Sequence, residues 1–179
     1  AGNVLDRNGV ILAETVKGER VYNNSERIRR STLHIVGDSE GYIASGVQTA
    51  YKKELIGYNI VTGIYPLKQY GRGNDITLTI DATVSVTALD ALGSNKGVVA
   101  VYNYETGEVY TALSLPQYNP EYKDSEYYNR CFDSVYIPGS TMKIVTTALA
   151  IDQGKDMSKI TYTCKGSINL TGEKPINCT

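Results

Sequence analysis

The chain has no tryptophan, one phenylalanine (Phe132) and one histidine (His34) among 179 residues. We read His34 as structural. A single structural histidine argues against a histidine-dependent catalytic triad and against a histidine-ligated metal centre. Cysteines are few: Cys131, Cys164 and Cys178. Their spacing fits no zinc pattern, so no metal site is expected. Nothing in the sequence calls for a cofactor. No run of 18 apolar residues exists, so no segment of this chain is expected to span a membrane, and no charged-then-apolar leader opens it. Charge of one sign is also missing. The formal net charge is −1, which gives no electrostatic footprint for a nucleic-acid partner. The densest basic run, Glu26-Arg27-Ile28-Arg29-Arg30, reads as a solvated face.

What is present is enough chain to bury a core as one large or two small domains, and 15 tyrosines. A tyrosine ring is apolar at one end and wet at the other, which suits half-buried strands and grooves. The opening NVLDRNGVILAET places two apolar runs around Asn8-Gly9, a pair that takes the positive φ values of a tight hairpin. Residues 14–41 read as irregular. Val47, Ala50, Tyr51, Glu54 and Leu55 recur at helical spacing, and Gly57 ends that helix. The glycines at 63, 71 and 73 mark a loose stretch, and we expect a domain boundary there, separating residues 1–73 from 74–179. ITLTID is β-rich. Asp81 is placed to cap a helix over ATVSVTALDALGS, with an apolar stripe of Ala82, Val86, Leu89 and Leu92. GVVAVYNYETGEVYTALS then reads as a hairpin turning at Glu105-Thr106-Gly107. The expected fold class is α+β. A helix from about Gly139 to Gln153, closed by Gly154, is apolar on nearly every side and is expected to be a central buried helix.

That helix starts at YIPGSTMKIV. Ser140 and Lys143 are three residues apart and share a face. A serine at a helix start sits among unpaired backbone N–H groups at the positive end of the dipole, where an alkoxide or oxyanion is stabilised. An ammonium of ordinary pKa is no base at pH 7. Apolar surroundings remove its hydration and favour the neutral amine, which takes the serine proton. The result is an activated nucleophile without histidine. A bare Ser-x-x-Lys is weak evidence on its own, because an N-capping serine beside a lysine that reaches solvent looks the same.

The surrounding blocks add specificity. NRCFDSVYIPGSTMKI, LTID before a helix, GVVAVYNYETGEVYTALSLPQYNP, VLDRNGVILAET, HIVGD and the stretch from Gly46 to Gly57 follow in an order that resembles the penicillin-binding proteins. The likeness is closest to their monofunctional, class B members. It implies an N-terminal pedestal or dimerisation-like piece in residues 1–73. Residues 74–179 would then be the first part of a transpeptidase domain akin to serine β-lactamases. It further implies that Ser140 is the acylated nucleophile with its N–H in the oxyanion hole, and that Lys143 is the general base. The implied reaction is D,D-transpeptidation of peptidoglycan stem peptides ending in D-Ala-D-Ala, with β-lactams acylating the same serine. Cell-wall synthesis or divisome proteins are the implied partners. The implied location is the outer face of a bacterial membrane, held by a helix upstream of Ala1.

The sequence departs from that family in two places. Lys-Ser/Thr-Gly does not occur in the 36 residues after Lys143, and Ser167-Ile168-Asn169 sits too early to serve as the family's Ser-x-Asn. We therefore expect a truncated transpeptidase that is inactive alone. Ser85 stands where the resembled family tends to have glutamine. A serine β-lactamase or β-lactam-sensing domain, and a non-catalytic cell-wall scaffold, are the alternatives. Cys164 and Cys178 are symmetric about Thr171. If the turn lies there they face each other across a hairpin as a candidate disulfide; the alternative is two free thiols. Cys131 reads as a small buried hydrophobe.

Overall fold

Asp6 organises the start of the chain. Its carboxylate is fully buried, and Oδ1 accepts the N–H groups of Asn8 and Val10 at 2.8 Å each. Gly9 lies at φ 84°. The turn so formed joins β1 (Val4–Leu5) to β2 (Ile11–Val16) in antiparallel pairing, as the Asn-Gly pair led us to expect. The computed structural model describes residues 1–59, 63–64, 73–117, 127–169, 171–172 and 174–177; for 59, 63 and 64 only the backbone is described.

Residues 14–41 are not irregular. β2 runs on into a second turn with Lys17 at φ 51° and Gly18 at φ 92°, and returns as β3 (Glu19–Tyr22). Helix α1 (Glu26–Val36) follows, capped by Ser25, whose Oγ accepts from the Ile28 N–H. Its first half carries the basic run on solvent, where Arg27 pairs with Asp90 and Arg30 with Glu26. Its second half, from Ser31 to Val36, is buried. Ser31 and Thr32 fit there because both hydroxyls donate to the Ile28 carbonyl, at 3.1 and 2.7 Å.

The helical spacing of residues 45–55 is realised as two short pieces, α2 (Val47–Ala50) and α3 (Lys52–Ile56), broken at Tyr51. Gly57 ends α3 in the left-handed region at φ 71°. Ahead of α2, Asp38 is buried and accepts three backbone N–H groups, from Glu40, Tyr42 and Ile43. Gly37 and Gly46 touch backbone to backbone: a Cβ on Gly46 would lie 2.5 Å from the Gly37 Cα. That contact accounts physically for the glycines of two of the quoted blocks. Strands β4 (Tyr58–Asn59) and β5 (Gly63–Ile64) form a small antiparallel pair.

Strand β6 (Ile76–Thr77) pairs in parallel with β1, giving a sheet of order β3-β2-β1-β6. Helix α4 (Ala82–Leu92) starts at Asp81, whose Oδ1 accepts from Thr83 and Val84 and whose Oδ2 accepts from Asn8. These donors, the Val84 N–H foremost, hold the Asp81 carboxyl below its ordinary pKa. The other Asp6 oxygen accepts the Ala82 N–H at 3.0 Å, so one carboxylate binds the first hairpin to the head of α4. Ser85 is fully buried and donates to the Asp81 carbonyl at 2.9 Å.

The expected hairpin is β7 (Gly97–Tyr102) and β8 (Val109–Leu115), with Gly107 at φ 77° in its turn. α1 packs on α4 and β8, and α4 packs on β8. Two of the resulting clusters are Val4, Leu12, Ala13, Val36, Leu55 and Ala82, and Ala88, Leu89, Leu113 and Leu115. The architecture is α+β. The chain forms two compact units, Ala1–Ser134 and Val135–Thr179. Residue 73, the expected boundary, falls inside the first unit, across which β1 and β6 pair.

The second unit opens with a 3₁₀ turn, Gly139–Thr141, that runs directly into α5 (Met142–Asp152). Gly154 follows at φ 74°. A second 3₁₀ turn (Met157–Lys159) leads to the antiparallel pair β9 (Ser167–Ile168) and β10 (Ile176–Asn177). α5 is not a buried helix: none of its residues is buried, and Ile144 is 74% and Val145 56% exposed. Its composition is that of a core helix, but the described residues of its own unit add two 3₁₀ turns and a pair of two-residue strands, too little surface to cover it.

Candidate active site

Ser140 lies in the first turn at the head of α5. Gly139 enters that turn at φ 52°, a left-handed conformation that side-chain-bearing residues rarely adopt. Pro138, locked near φ −67°, supplies the turn's acceptor: its carbonyl takes the Thr141 N–H at 3.1 Å and the Thr141 hydroxyl at 2.5 Å. The Met142 N–H closes back on Gly139 and Ser140. Thr141 and Met142 amides are therefore engaged, whereas the Ser140 N–H has no hydrogen-bond partner among the described residues.

Lys143 follows in the first turn of α5, one turn on from Ser140. Both residues are exposed, and no hydrogen bond joins their side chains among the described residues. Lys143 lines a shallow depression of about 220 Å³ together with Tyr162, Cys164, Ser167 and Ile168. The expected helix-head placement is present, and the apolar enclosure of the amine is not. Ser167 and Ile168 form β9, so the literal Ser-x-Asn begins on a strand of the small hairpin.

The register opposes Ile168 to Ile176 and Ser167 to Asn177, which centres this hairpin on Gly172 and not on Thr171. Cys178 is outside the described residues, and its pairing with Cys164 with it. Cys164 is exposed, with Sγ accepting from the Gly166 N–H at 3.4 Å. His34 is buried in α1, in keeping with a structural role. The described residues hold no cluster of metal-ligating side chains and no helix long and apolar enough to cross a membrane.

Cys131 is half-buried, packs against Ile35, Ile80 and Ala112, and donates to the Leu113 carbonyl at 3.2 Å. Burial disfavours the thiolate and pushes its pKa up to about 11 from 9.0. The thiolate is the reactive form, so a shift of that size cuts its population by about 100-fold at pH 8. Native Cys131 should therefore react with iodoacetamide roughly 100-fold more slowly than the same cysteine in denaturant, with the native rate rising until the pH nears 11. Peptide-resolved mass spectrometry over time measures this. Equal native and denatured rates would contradict the packing.

Asn129 is fully buried. Its Nδ2 donates to the His34 carbonyl, its Oδ1 accepts from the Cys131 N–H, and its own N–H bonds Asp133 Oδ2. Arg130 N–H adds a bond to Ser114 Oγ at 3.0 Å. The Asn-Arg pair thus fastens the segment ahead of the serine turn to α1 and β8. A buried asparagine needing both ends of its amide satisfied is invisible without the fold.

Residues 97–177 match the family described as "Penicillin binding protein transpeptidase domain". Penicillin-binding protein 3 of Bacillus subtilis is 25% identical over 164 residues, covering 79% of this chain and 25% of that protein. The peptidoglycan D,D-transpeptidase MrdA of Acinetobacter baumannii is 33% identical over 88 residues, 40% of this chain and 13% of that protein. Among solved structures, the D,D-transpeptidase domain of a peptidoglycan glycosyltransferase from Eggerthella lenta aligns with a TM-score of 0.74 and 30% identity, over 98% of this chain and 42% of that one. Residues 97–177 thus match the penicillin-binding protein transpeptidase family, and these relatives and neighbours support reading the chain as a piece of a class B penicillin-binding protein. The chain spans a quarter or less of these two curated relatives and under half of the solved domain.

Proposed function

We propose that this chain carries the nucleophile-bearing part of a peptidoglycan D,D-transpeptidase. Ser140 Oγ attacks the carbonyl carbon of the terminal D-Ala-D-Ala amide, and Lys143 takes the hydroxyl proton. The Ser140 N–H steadies the tetrahedral oxyanion. The amide C–N bond breaks, the proton passes to the departing D-Ala amine, and an ester to Ser140 remains. The amine of a neighbouring stem peptide then attacks that ester, forming the crosslink and releasing the serine. A β-lactam enters the same first step, and its ring opening leaves the acyl group on Ser140.

The observation that carries this reading is the Ser140 turn. A serine whose backbone N–H has no partner among the described residues stands one turn ahead of a lysine at the entry of α5, inside the segment that matches the transpeptidase family. Residues 1–73 act as part of the pedestal. We place the protein on the outer face of a bacterial membrane, attached by an anchor outside this chain, working beside other cell-wall synthesis proteins.

Fluorescent penicillin tests the proposal. A polypeptide that also includes the rest of the transpeptidase fold should be labelled stoichiometrically, with the adduct mapped to Ser140 and lost in Ser140→Ala. The 179-residue chain alone should stay unlabelled, because Ser140 and Lys143 are both exposed and unlinked. Labelling of the longer polypeptide at any other residue, or survival of labelling in Ser140→Ala, would overturn the assignment.

A further inference from the structure

Asn8-Gly9 is the one Asn-Gly pair in the 179 residues. In such a pair the glycine nitrogen can attack the asparagine side-chain carbonyl, because no side chain on the second residue hinders the approach. The new N–C bond closes a five-membered succinimide, the Cγ–Nδ2 bond breaks, and Nδ2 departs as ammonia with the proton of the Gly9 amide. Water then opens the ring at either carbonyl. The product is an aspartate, or an isoaspartate that runs the main chain through one extra methylene.

Water reaches the pair, since Asn8 and Gly9 are both exposed and a Cβ on Gly9 would meet nothing within 4 Å. The folded turn withholds both reacting groups. The Gly9 N–H donates to the Asp6 carbonyl at 3.1 Å. The flanking amides of Asn8 and Val10 are fixed on Asp6 Oδ1 at 2.8 Å each, and Asn8 Nδ2 is held by Asp81 Oδ2 at 3.0 Å. Attack needs the Gly9 N–H freed and the Asn8 side chain turned, so it has to pass through an opened turn. Conversion also prevents the turn from closing as before. It puts a carboxylate where Nδ2 donated to Asp81, and two carboxylates repel at that distance. Arg7, whose charge acts on Asp81, is already paired with Glu108 and stacked on Tyr110. An isoaspartate also shifts the amides that Asp6 gathers. We propose that Asn8 is a latent modification site: the native turn shields it, and an opening of the first hairpin is converted into a permanent weakening of its link to the head of α4.

The 179-residue chain, incubated in mildly alkaline buffer either folded or in urea, tests this. Mass spectrometry follows the peptide that holds residues 8 and 9, with isoaspartate separated by chromatography. The unfolded chain should convert at Asn8 at least about 10-fold faster than the folded one, as expected when reaction waits on local opening. Asn8→Asp reproduces one of the two products and should lower the melting temperature by roughly 2–4 °C. Asp81→Asn keeps a helix cap and removes the repelling charge, so in that background Asn8→Asp should cost less than half as much. Equal folded and unfolded rates, or no conversion in urea, overturn the shielded site. A melting loss undiminished by Asp81→Asn overturns the link to α4.

Discussion

Replacing Asp6 by alanine should cost the first unit about 3–5 kcal/mol and lower its melting temperature by roughly 10–15 °C. The carboxylate is fully buried and accepts three backbone N–H groups, from Asn8, Val10 and Ala82. Alanine leaves those donors without partners. Each orphan costs about 1–3 kcal/mol before relaxation, and water entering the vacated space recovers part of the total. Two of the bonds shape the first turn; the third crosses 76 residues to the head of α4. The loss should therefore be cooperative, with the sheet and α4 melting together. Asp6→Asn should fall between wild type and alanine, since its amide offers one acceptor oxygen and one donor group that cannot satisfy an N–H. Calorimetry on the three proteins gives the ranking. A cost below about 1 kcal/mol for Asp6→Ala would mean that the carboxylate is not the joint between hairpin and helix.

This joint shows where sequence reading runs out. Asn8-Gly9 announced a turn because its backbone preference is local, and Gly9 takes the positive φ that such a turn requires. Asp81 announced a helix start for the same kind of reason. Asp6 announced nothing, because its role needs Ala82 to be beside it, and that proximity comes from the parallel pairing of β1 with β6. The second hairpin turn was missed because Lys17, not asparagine or glycine, takes the positive φ there. Helix α1 begins with a basic run, Arg27, Arg29 and Arg30, that masks its apolar side in the sequence. Its signals were local and present: Ser25 as cap, Glu26 in the first turn, and Ile28, Thr32, Ile35 and Val36 on one side.

The candidate site divides in the same way. The i, i+3 relation of Ser140 and Lys143, the glycine-led entry and the Gly154 stop are properties of a few neighbouring residues, and all could be read directly. The burial of α5 is a property of what surrounds it. An all-round apolar helix states a demand for cover, and Met142, Ile144, Val145, Leu149 and Ile151 remain exposed in a chain that spans 42% of the solved Eggerthella domain. Asn129 is a third case, since the His34 carbonyl it satisfies is 95 residues away.

Substitution of Lys143 should have the largest effect on chemistry, and two variants separate what the residue does. In a polypeptide that also carries the rest of the transpeptidase fold, Lys143→Gln should slow acylation by fluorescent penicillin about 10³-fold, the scale of a lost general base. A charge that merely orients the serine or attracts the carboxylate of a β-lactam would predict the same direction of change. Lys143→Arg tells them apart. Arginine keeps a cation at the head of α5, but its guanidinium does not release a proton in the working range. If Lys143 accepts the Ser140 proton, arginine should be as slow as glutamine. Because the proton moves only as the transition state is reached, the noncovalent affinity for penicillin should change little while the acylation rate constant collapses. Stopped-flow labelling over a range of penicillin concentrations resolves the two constants. Recovery to within about 10-fold of wild type by arginine would assign Lys143 an electrostatic role and leave Ser140 in need of another base.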